Sequence, residues 1–239
     1  MINYHKNTQH LAFGMLAVMP AIIFYEVVVR WYYQDMVLEV RNSAEIFLKD
    51  FIYAIGLREP VILLGVYLLA TLIIVLYARK RDYTFPGLSA YFLVVFESII
   101  YAALLGTVTA SITNQILSLQ TGGLAEFEAM LPQILMSLSA GIWEEILFRL
   151  IMLGLLLYFF NQLMRSKRWL QIAIATFVSS VIFSVFHYAS FEYFTWSSFT
   201  FRFVAGCILG LLFVHRGLAV AVYTHSFYDF FYFLQNGTN

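Results

Sequence analysis

The sequence predicts an all-α protein, a polytopic transmembrane bundle of about seven helices (six to eight) with one further helix in the membrane interface. Of the 239 residues, 62% are hydrophobic and only 12% are charged, against about half and a quarter in soluble domains. Apolar runs long enough to cross a bilayer core of roughly 30 Å recur along the chain. Basic clusters fall between these runs. Together these observations indicate an integral membrane protein.

The predicted spans are seven apolar segments. They lie near residues 11–29, 61–78, 88–110, 131–160, 169–189, 201–214 and 218–234. The fourth is long and the sixth is short for a full crossing, so we expect one of them to be tilted or broken, with room for an eighth element. We expect residues 1–239 to form a single integral membrane domain, with the polar residues of interest in its second half, 131–234.

The connection between the first two segments predicts an amphipathic helix. One helical face carries five apolar residues, and Glu45 and Lys49 lie on another face. This pattern is typical of a helix that lies in the membrane interface. The five apolar residues are Phe47, Leu48, Phe51, Ile52 and Ile55.

The distribution of lysine and arginine predicts the orientation of the bundle. The connections after segments two, four and six read ARKRD, RSKR and HRG, whereas residues 111–130 contain no lysine or arginine. The positive-inside rule therefore places the amino terminus in the cytoplasm and the carboxyl terminus outside. The first connection, with Arg30, Arg41, Lys49 and Arg58, goes against this orientation, although nearby acidic residues leave it mixed in sign.

Charge and cysteine content exclude several function classes. The net charge is zero, which gives no electrostatic reason to expect a nucleic-acid partner. Cys207 is the single cysteine of the chain, so an internal disulfide and a metal site of several thiolates are both excluded.

Ionisable residues interrupt three of the apolar segments. Segment four carries Glu144, Glu145 and Arg149 in the stretch GIWEEILFRL. Each such charge near the middle of a spanning helix opposes insertion by roughly 2.5 to 3.5 kcal/mol, so these residues need partners or a wet cavity. Residues four apart share a helical face, which lets Glu145 reach Arg149.

The other two polar segments carry histidines. Segment five ends in FSVFH with His187, and segment seven contains THSFYD, where His225 lies one turn before Asp229. Any one of these residues could serve only to bind neighbouring helices together by polar contacts. Their combination on three helices favours chemistry, because intramembrane ionisable residues are functional candidates by default.

The three motifs resemble those of a known family. EEILFR, FSVFH and HSFYD match in order the Glu-Glu-x-x-x-Arg, Phe-x-x-x-His and His-x-x-x-Asn/Asp pattern of the CPBP (CAAX-protease and bacteriocin-processing, or Abi) intramembrane endopeptidases. These include the Ras-converting type of CAAX protease. The resemblance covers about the last 110 residues. It implies an intramembrane peptide hydrolase of the glutamic type in a multi-pass protein of a prokaryotic plasma membrane.

The resemblance also implies roles for the motif residues. Glu144 is expected to be the general base for water, and His187 to hold the same water. His225 and Asp229 are expected to polarise the substrate carbonyl or to form the oxyanion site. Because an aspartate donates only when protonated, we expect Asp229 to orient His225. Glu145 is expected to be held by Arg149 in a supporting role.

A zinc ion is the alternative to a cofactor-free site. Glu144, His187 and His225 could hold zinc with one position open for water. No His-Glu-x-x-His run is present, and the three ligands would come from three helices. The resemblance favours the metal-free mechanism.

Counting residues from the basic boundaries predicts the depth of the site. At 1.5 Å per residue, Glu144 and His187 fall near the outer face, while His225 falls some 15 Å deeper unless segment seven starts above the inner boundary, tilts or kinks. We therefore expect an active site in the outer half of the membrane. This position disfavours a prenylated CAAX tail as the substrate and favours a tail or tag on an exported protein.

Two other functions are consistent with parts of the sequence. A non-catalytic protein of the same fold, such as a bacteriocin-immunity factor or a scaffold, would be expected to lose motif residues, and none is lost here. A proton-coupled transporter predicts broken helices in two related halves, which the sequence does not show. We expect the partners to be the lipid bilayer and a peptide or protein with a membrane-proximal cleavage site. A monomer and a dimer both remain open, since Gly206 and Gly210 suit either packing.

Overall fold

A computed structural model describes residues 4–34, 41–57, 61–113, 127–164, 167–189 and 193–236. All regular structure in these ranges is helical, which confirms the predicted fold class. A π-helical segment, Ala140–Leu153, joins α6 to α7, and a short 3-10 turn, His187–Ala189, follows α8. The α-helices are α1 (Tyr4–Thr8), α2 (Leu11–Tyr33), α3 (Ser43–Ala54), α4 (Ile62–Lys80), α5 (Leu88–Thr113), α6 (Phe127–Ser139), α7 (Gly154–Leu163), α8 (Arg168–Phe186), α9 (Trp196–Arg216) and α10 (Leu218–Asn236).

Six helical stretches in the described parts of the chain are long and apolar enough to cross a membrane, which supports the polytopic bundle. One of them is the continuous run of α6, the π-helical segment and α7, which contributes 34 residues, Met130–Leu163. The seventh predicted span corresponds to α10, which is not among the six. This helix packs against α2, α5, α6, α9 and the π-helical segment, so it occupies the middle of the bundle.

Segments four and six differ from their predicted outlines. Segment six is not short, because α9 begins at Trp196, five residues before the predicted start at 201. The Thr195 side chain accepts a hydrogen bond from the Ser198 amide and so caps this earlier helix start. Segment four is not broken. It accommodates its length by changing to π-helical geometry in its centre.

The amphipathic helix after segment one is present as α3, but its polar side does not face solvent. Phe47 and Phe51 are exposed, as expected for an interfacial helix. Glu45, in contrast, is fully buried and accepts hydrogen bonds from Tyr25 of α2 (2.5 Å) and Ser139 of α6 (3.1 Å). The sequence pattern identifies an amphipathic helix but does not tell which of its polar residues a neighbouring helix covers.

The two glycines in GCILG are used for packing within the bundle. A Cβ atom at Gly206 would lie 3.1 Å from Cβ of Ser180, and one at Gly210 would lie 2.9 Å from Cγ2 of Thr176. Both contacts are with α8. The small residues therefore bring α8 and α9 close together within one molecule.

The junction between α9 and α10 lies inside the protein. Arg216 is buried and donates to both carboxylate oxygens of Glu97, at 2.6 and 2.7 Å. Gly217 ends α9 with a φ of +90°, and a Cβ here would lie 2.8 Å from the carbonyl oxygen of Gln9. Glycine is required on both grounds. As a result α10 starts at once, and residues 218–222 are all 1% exposed or less.

Candidate active site

The π-helical segment positions the two adjacent glutamates of the first motif. Hydrogen bonds from residue i to residue i+5 widen the helical turn, as in the bond from the Gly154 amide to the Arg149 carbonyl. Such segments occur often at functional sites. Glu144 is 5% exposed and Glu145 is fully buried, so both carboxylates point into the protein although they are neighbours in sequence.

Glu144 lies between two histidine rings. Its Oε1 atom is 3.8 Å from Nε2 of His187, and its Oε2 atom is 3.8 Å from Nε2 of His225. Oε1 also accepts a hydrogen bond of 2.8 Å from the side-chain amide of Asn42. The 3.8 Å separations exceed a direct hydrogen bond, and a water molecule that hydrogen-bonds to both atoms of a pair would lie beside the line that joins them.

His187 follows the last residue of α8 and turns its ring back along that helix. Its Nδ1 atom is 2.9 Å from the carbonyl oxygen of Phe183. A carbonyl can only accept, so in the neutral ring the proton lies on Nδ1 and Nε2 carries a lone pair. The nitrogen that faces Glu144 is therefore a hydrogen-bond acceptor.

His225 is surrounded by three carboxylates. Its Nδ1 atom is 2.8 Å from Oε1 of Glu145, while Nε2 is 3.6 Å from Oδ2 of Asp229 and 3.8 Å from Glu144. From the sequence, Asp229 is expected to orient the His225 ring. In the structure the hydrogen-bonding partner of His225 is Glu145, because the wide π-helical turn directs Glu145 toward α10.

Arg149 has the predicted ionic partner and one that was not predicted. Its Nη1 atom is 3.0 Å from Oε1 of Glu145. Its guanidinium carbon also lies 4.3 Å from the centre of the Phe183 ring, a cation–π contact. Since Arg149 is 1% exposed, Glu145 is the carboxylate that offsets its charge in the interior.

A cavity of about 620 Å³ opens onto these groups. Glu144, His187, His225 and Asp229 all line it, whereas Glu145 and Arg149 lie behind its wall. Its lining also includes apolar side chains and, at the end formed by the start of α9, Arg202. The volume is that of a typical small-ligand or peptide-binding cleft. The apolar lining residues include Met136, Phe183, Phe201, Ala205, Leu209 and Phe233.

The predicted separation in depth between the two histidines is absent. Both rings contact one carboxylate, Glu144, at the same distance. Two features explain why His187 and His225 lie at the same carboxylate instead of at different depths. The buried start of α10 shifts His225 toward the site, and the ring of His187 points back along α8 toward Phe183.

Asn42 is a cavity residue, hydrogen-bonded to Glu144, that sequence reasoning missed. It is 102 positions from Glu144 in the chain and caps α3, with its Oδ1 atom accepting a hydrogen bond of 2.8 Å from the Ala44 amide. The available signal was the Asn-x-x-Glu pattern of a helix start. That pattern predicts the cap and says nothing about the active site.

The zinc alternative can be compared with the distances around Glu144. Among them no group of three or more histidine, cysteine, aspartate or glutamate side chains is arranged to hold a metal ion. Neighbouring ligands of a tetrahedral zinc lie about 3.4 Å apart when the bonds are about 2.1 Å. Both Nε2 atoms are 3.8 Å from the nearest Glu144 oxygen.

The second half of the chain matches a known protein family. Residues 126–231 match the model of the family described as type II CAAX prenyl endopeptidase Rce1-like. No curated protein and no solved structure is significantly similar to the chain. The matched residues contain all three motifs and every motif residue that surrounds the cavity. The predicted family resemblance is confirmed, and the carboxy-terminal half of this membrane protein carries the signature of the Rce1-like CAAX proteases.

Proposed function

We propose that the protein is a metal-free intramembrane endopeptidase that uses Glu144 to activate water for hydrolysis of a peptide bond near the membrane. The observation that supports this most is the position of the Glu144 carboxylate, 3.8 Å from each of two imidazole Nε2 atoms inside a cavity. A water molecule beside either pair of atoms could hydrogen-bond to both members of the pair. The family supports a CAAX-type intramembrane protease, and the glutamate mechanism is our addition.

The activated water would lie between Glu144 and His187. One of its hydrogens is donated to the lone pair on Nε2 of His187, whose tautomer the Phe183 carbonyl determines. The other is donated to Glu144, which takes it as the water oxygen attacks the scissile carbonyl carbon. The bond that forms is carbon to oxygen. The proton held by Glu144 then passes to the nitrogen of the leaving amine as the carbon–nitrogen bond breaks.

His225 would stabilise the oxyanion. Its Nδ1 donates to Glu145, which leaves Nε2 facing the cavity beside Glu144 and Asp229. A protonated His225 donates from Nε2 to the developing negative charge on the carbonyl oxygen. The Glu145–Arg149 pair stays behind the cavity wall, where it fixes the ring orientation.

The cavity lining supports an apolar peptide segment as the substrate. Seven of its sixteen lining residues are phenylalanine or aliphatic, and Arg202 lies near the start of α9. With the amino terminus in the cytoplasm, the start of α9 is at the outer end of the bundle. A short tail or tag of an exported protein, or a small precursor, would reach the site from that side.

The test compares a carboxyl-to-amide variant of Glu144, which keeps side-chain size, with a histidine deletion and a matched control. Glu144→Gln should lower cleavage of membrane-anchored reporter tails in proteoliposomes by about 10² to 10⁴-fold, with unchanged thermal stability in detergent. His187→Ala should be similarly inactive. Asp82→Asn, an equivalent carboxyl-to-amide change at an exposed position after α4, is the matched control and should cleave normally.

Two outcomes would contradict the proposal in different ways. Full cleavage by Glu144→Gln would exclude Glu144 as the base. If Glu144→Gln and His187→Ala were folded and both retained the cellular phenotype of the wild-type protein, the non-catalytic alternative would replace the enzyme.

A further inference from the structure

Asn42 makes two hydrogen bonds that together determine how its side-chain amide is oriented. The Ala44 backbone amide can only donate, so the atom 2.8 Å from it must be the Asn42 oxygen. The Asn42 nitrogen therefore faces the atom 2.8 Å away on the other side, Oε1 of Glu144. The same side-chain amide thus caps α3 with its oxygen and donates to Glu144 with its nitrogen.

Helix α3 is held rigidly enough for this contact to position a carboxylate. Glu45, three residues after Asn42, is fully buried. It accepts hydrogen bonds from Tyr25 of α2, from Arg41 and from Lys49 Nζ, the last at 2.7 Å. It also accepts one from Ser139, which directly precedes the π-helical segment. Thus α3 is attached both to α2 and to the start of the segment that carries Glu144.

Among the described residues, Asn42 gives the Glu144 carboxylate a direct side-chain hydrogen bond. The two histidine nitrogens are each 3.8 Å away, too far to hold it directly. The Asn42 amide binds Oε1 at 2.8 Å and is 8% exposed. One side-chain hydrogen bond therefore selects the rotation in which one oxygen faces His187 and the other faces His225.

We propose that Asn42 is a positioning residue for Glu144, and that α3 forms part of the active-site structure although it lies outside the family-matched residues 126–231. This inference rests on the proposed function, because it assumes that Glu144 takes a proton from water. Its consequence is that the amino-terminal half, which carries none of the three motifs, contributes directly to the rate.

Two variants separate the capping role of Asn42 from its donor role. Ser and Asp cap helices about as well as Asn, so Asn42→Ser and Asn42→Asp should both keep α3. Asn42→Ser should leave the melting temperature close to that of the wild type, whereas the buried like charge of Asn42→Asp should lower it. The serine hydroxyl is too short to reach Glu144, and the aspartate is an acceptor carrying a like charge. In both variants we expect kcat to fall by about 10- to 100-fold, the scale of a misplaced catalytic group, with KM within about twofold.

The controls make the result decisive. Asp50→Asn alters an exposed charge on the same helix and should cleave as the wild type does. Asn42→Ala loses both roles and should lower kcat and also the melting temperature. If Asn42→Ser and Asn42→Asp kept the wild-type kcat while Glu144→Gln was inactive, Asn42 would be only a helix cap and the positioning role would be wrong. If Glu144→Gln itself cleaved normally, the proposed function would be the part that failed.

Discussion

Substitution of Gly141 tests the close packing that brings the first and third motifs together. A Cβ atom at Gly141 would lie 2.0 Å from the Ser226 hydroxyl, 2.7 Å from its backbone nitrogen and 2.9 Å from its Cα. The hydroxyl can rotate away, but the backbone of α10 cannot. Atoms in contact normally stay about 3.5 Å apart, so in Gly141→Ala the π-helical segment and α10 must separate by about 0.7 Å.

The expected cost has a structural and a catalytic part. Overpacking of this kind lowers the free energy of unfolding by about 1 to 3 kcal/mol. The hydrogen bond of 2.8 Å between Glu145 and His225 crosses the same interface. A separation of about 0.7 Å would stretch it beyond the usual hydrogen-bond range. We therefore expect cleavage to fall by about 100-fold, as for catalytic groups misplaced by about 1 Å.

Gly154→Ala is the matched control in the same continuous helix. The nearest heavy atom to a Cβ at Gly154 is the Arg149 carbonyl oxygen at 4.0 Å, so the methyl group has room. This change should raise stability by about 0.5 to 1 kcal/mol. Thermal unfolding in detergent and reporter cleavage measure both variants. Wild-type stability and cleavage in Gly141→Ala would refute the close contact and, with it, the described position of His225.

Three further predictions concern charge, metal and orientation. Glu145→Gln keeps an acceptor for His225 but leaves Arg149 without the carboxylate that offsets its charge. The free energy of unfolding should therefore fall by about 3 to 5 kcal/mol. Unchanged thermal stability would contradict this pairing. Purified active protein should hold zinc far below one equivalent by elemental analysis and should keep its activity in chelator, and loss of activity restored by zinc would favour the zinc alternative. With Cys207 replaced, a cysteine at Gln120 should react with an impermeant reagent from outside and one at Lys80 should not, and the reverse labelling would invert the proposed topology.

Much of the fold could be predicted from the sequence because hydropathy and helical period are local properties of the chain. The apolar runs identified the helices, and the three motifs identified Glu144, His187 and His225 as a group before any geometry was known. Helix ends were less predictable. The earlier start of α9 has the Thr195 side chain as its cap, and the π-helical part of segment four packs against α10.

The sequence by itself determined that this is a helical membrane protein with six candidate site residues on three predicted spans, since the insertion cost of ionisable groups makes such residues conspicuous. Only the tertiary structure decided which of them touch. It assigned Glu145 to His225, aligned the two histidines on Glu144, and brought in Asn42 from a helix 102 residues away. Helical period tells which residues share a face, but the neighbour of that face depends on the angles and depths at which helices pack, and these are set by contacts distant in the chain.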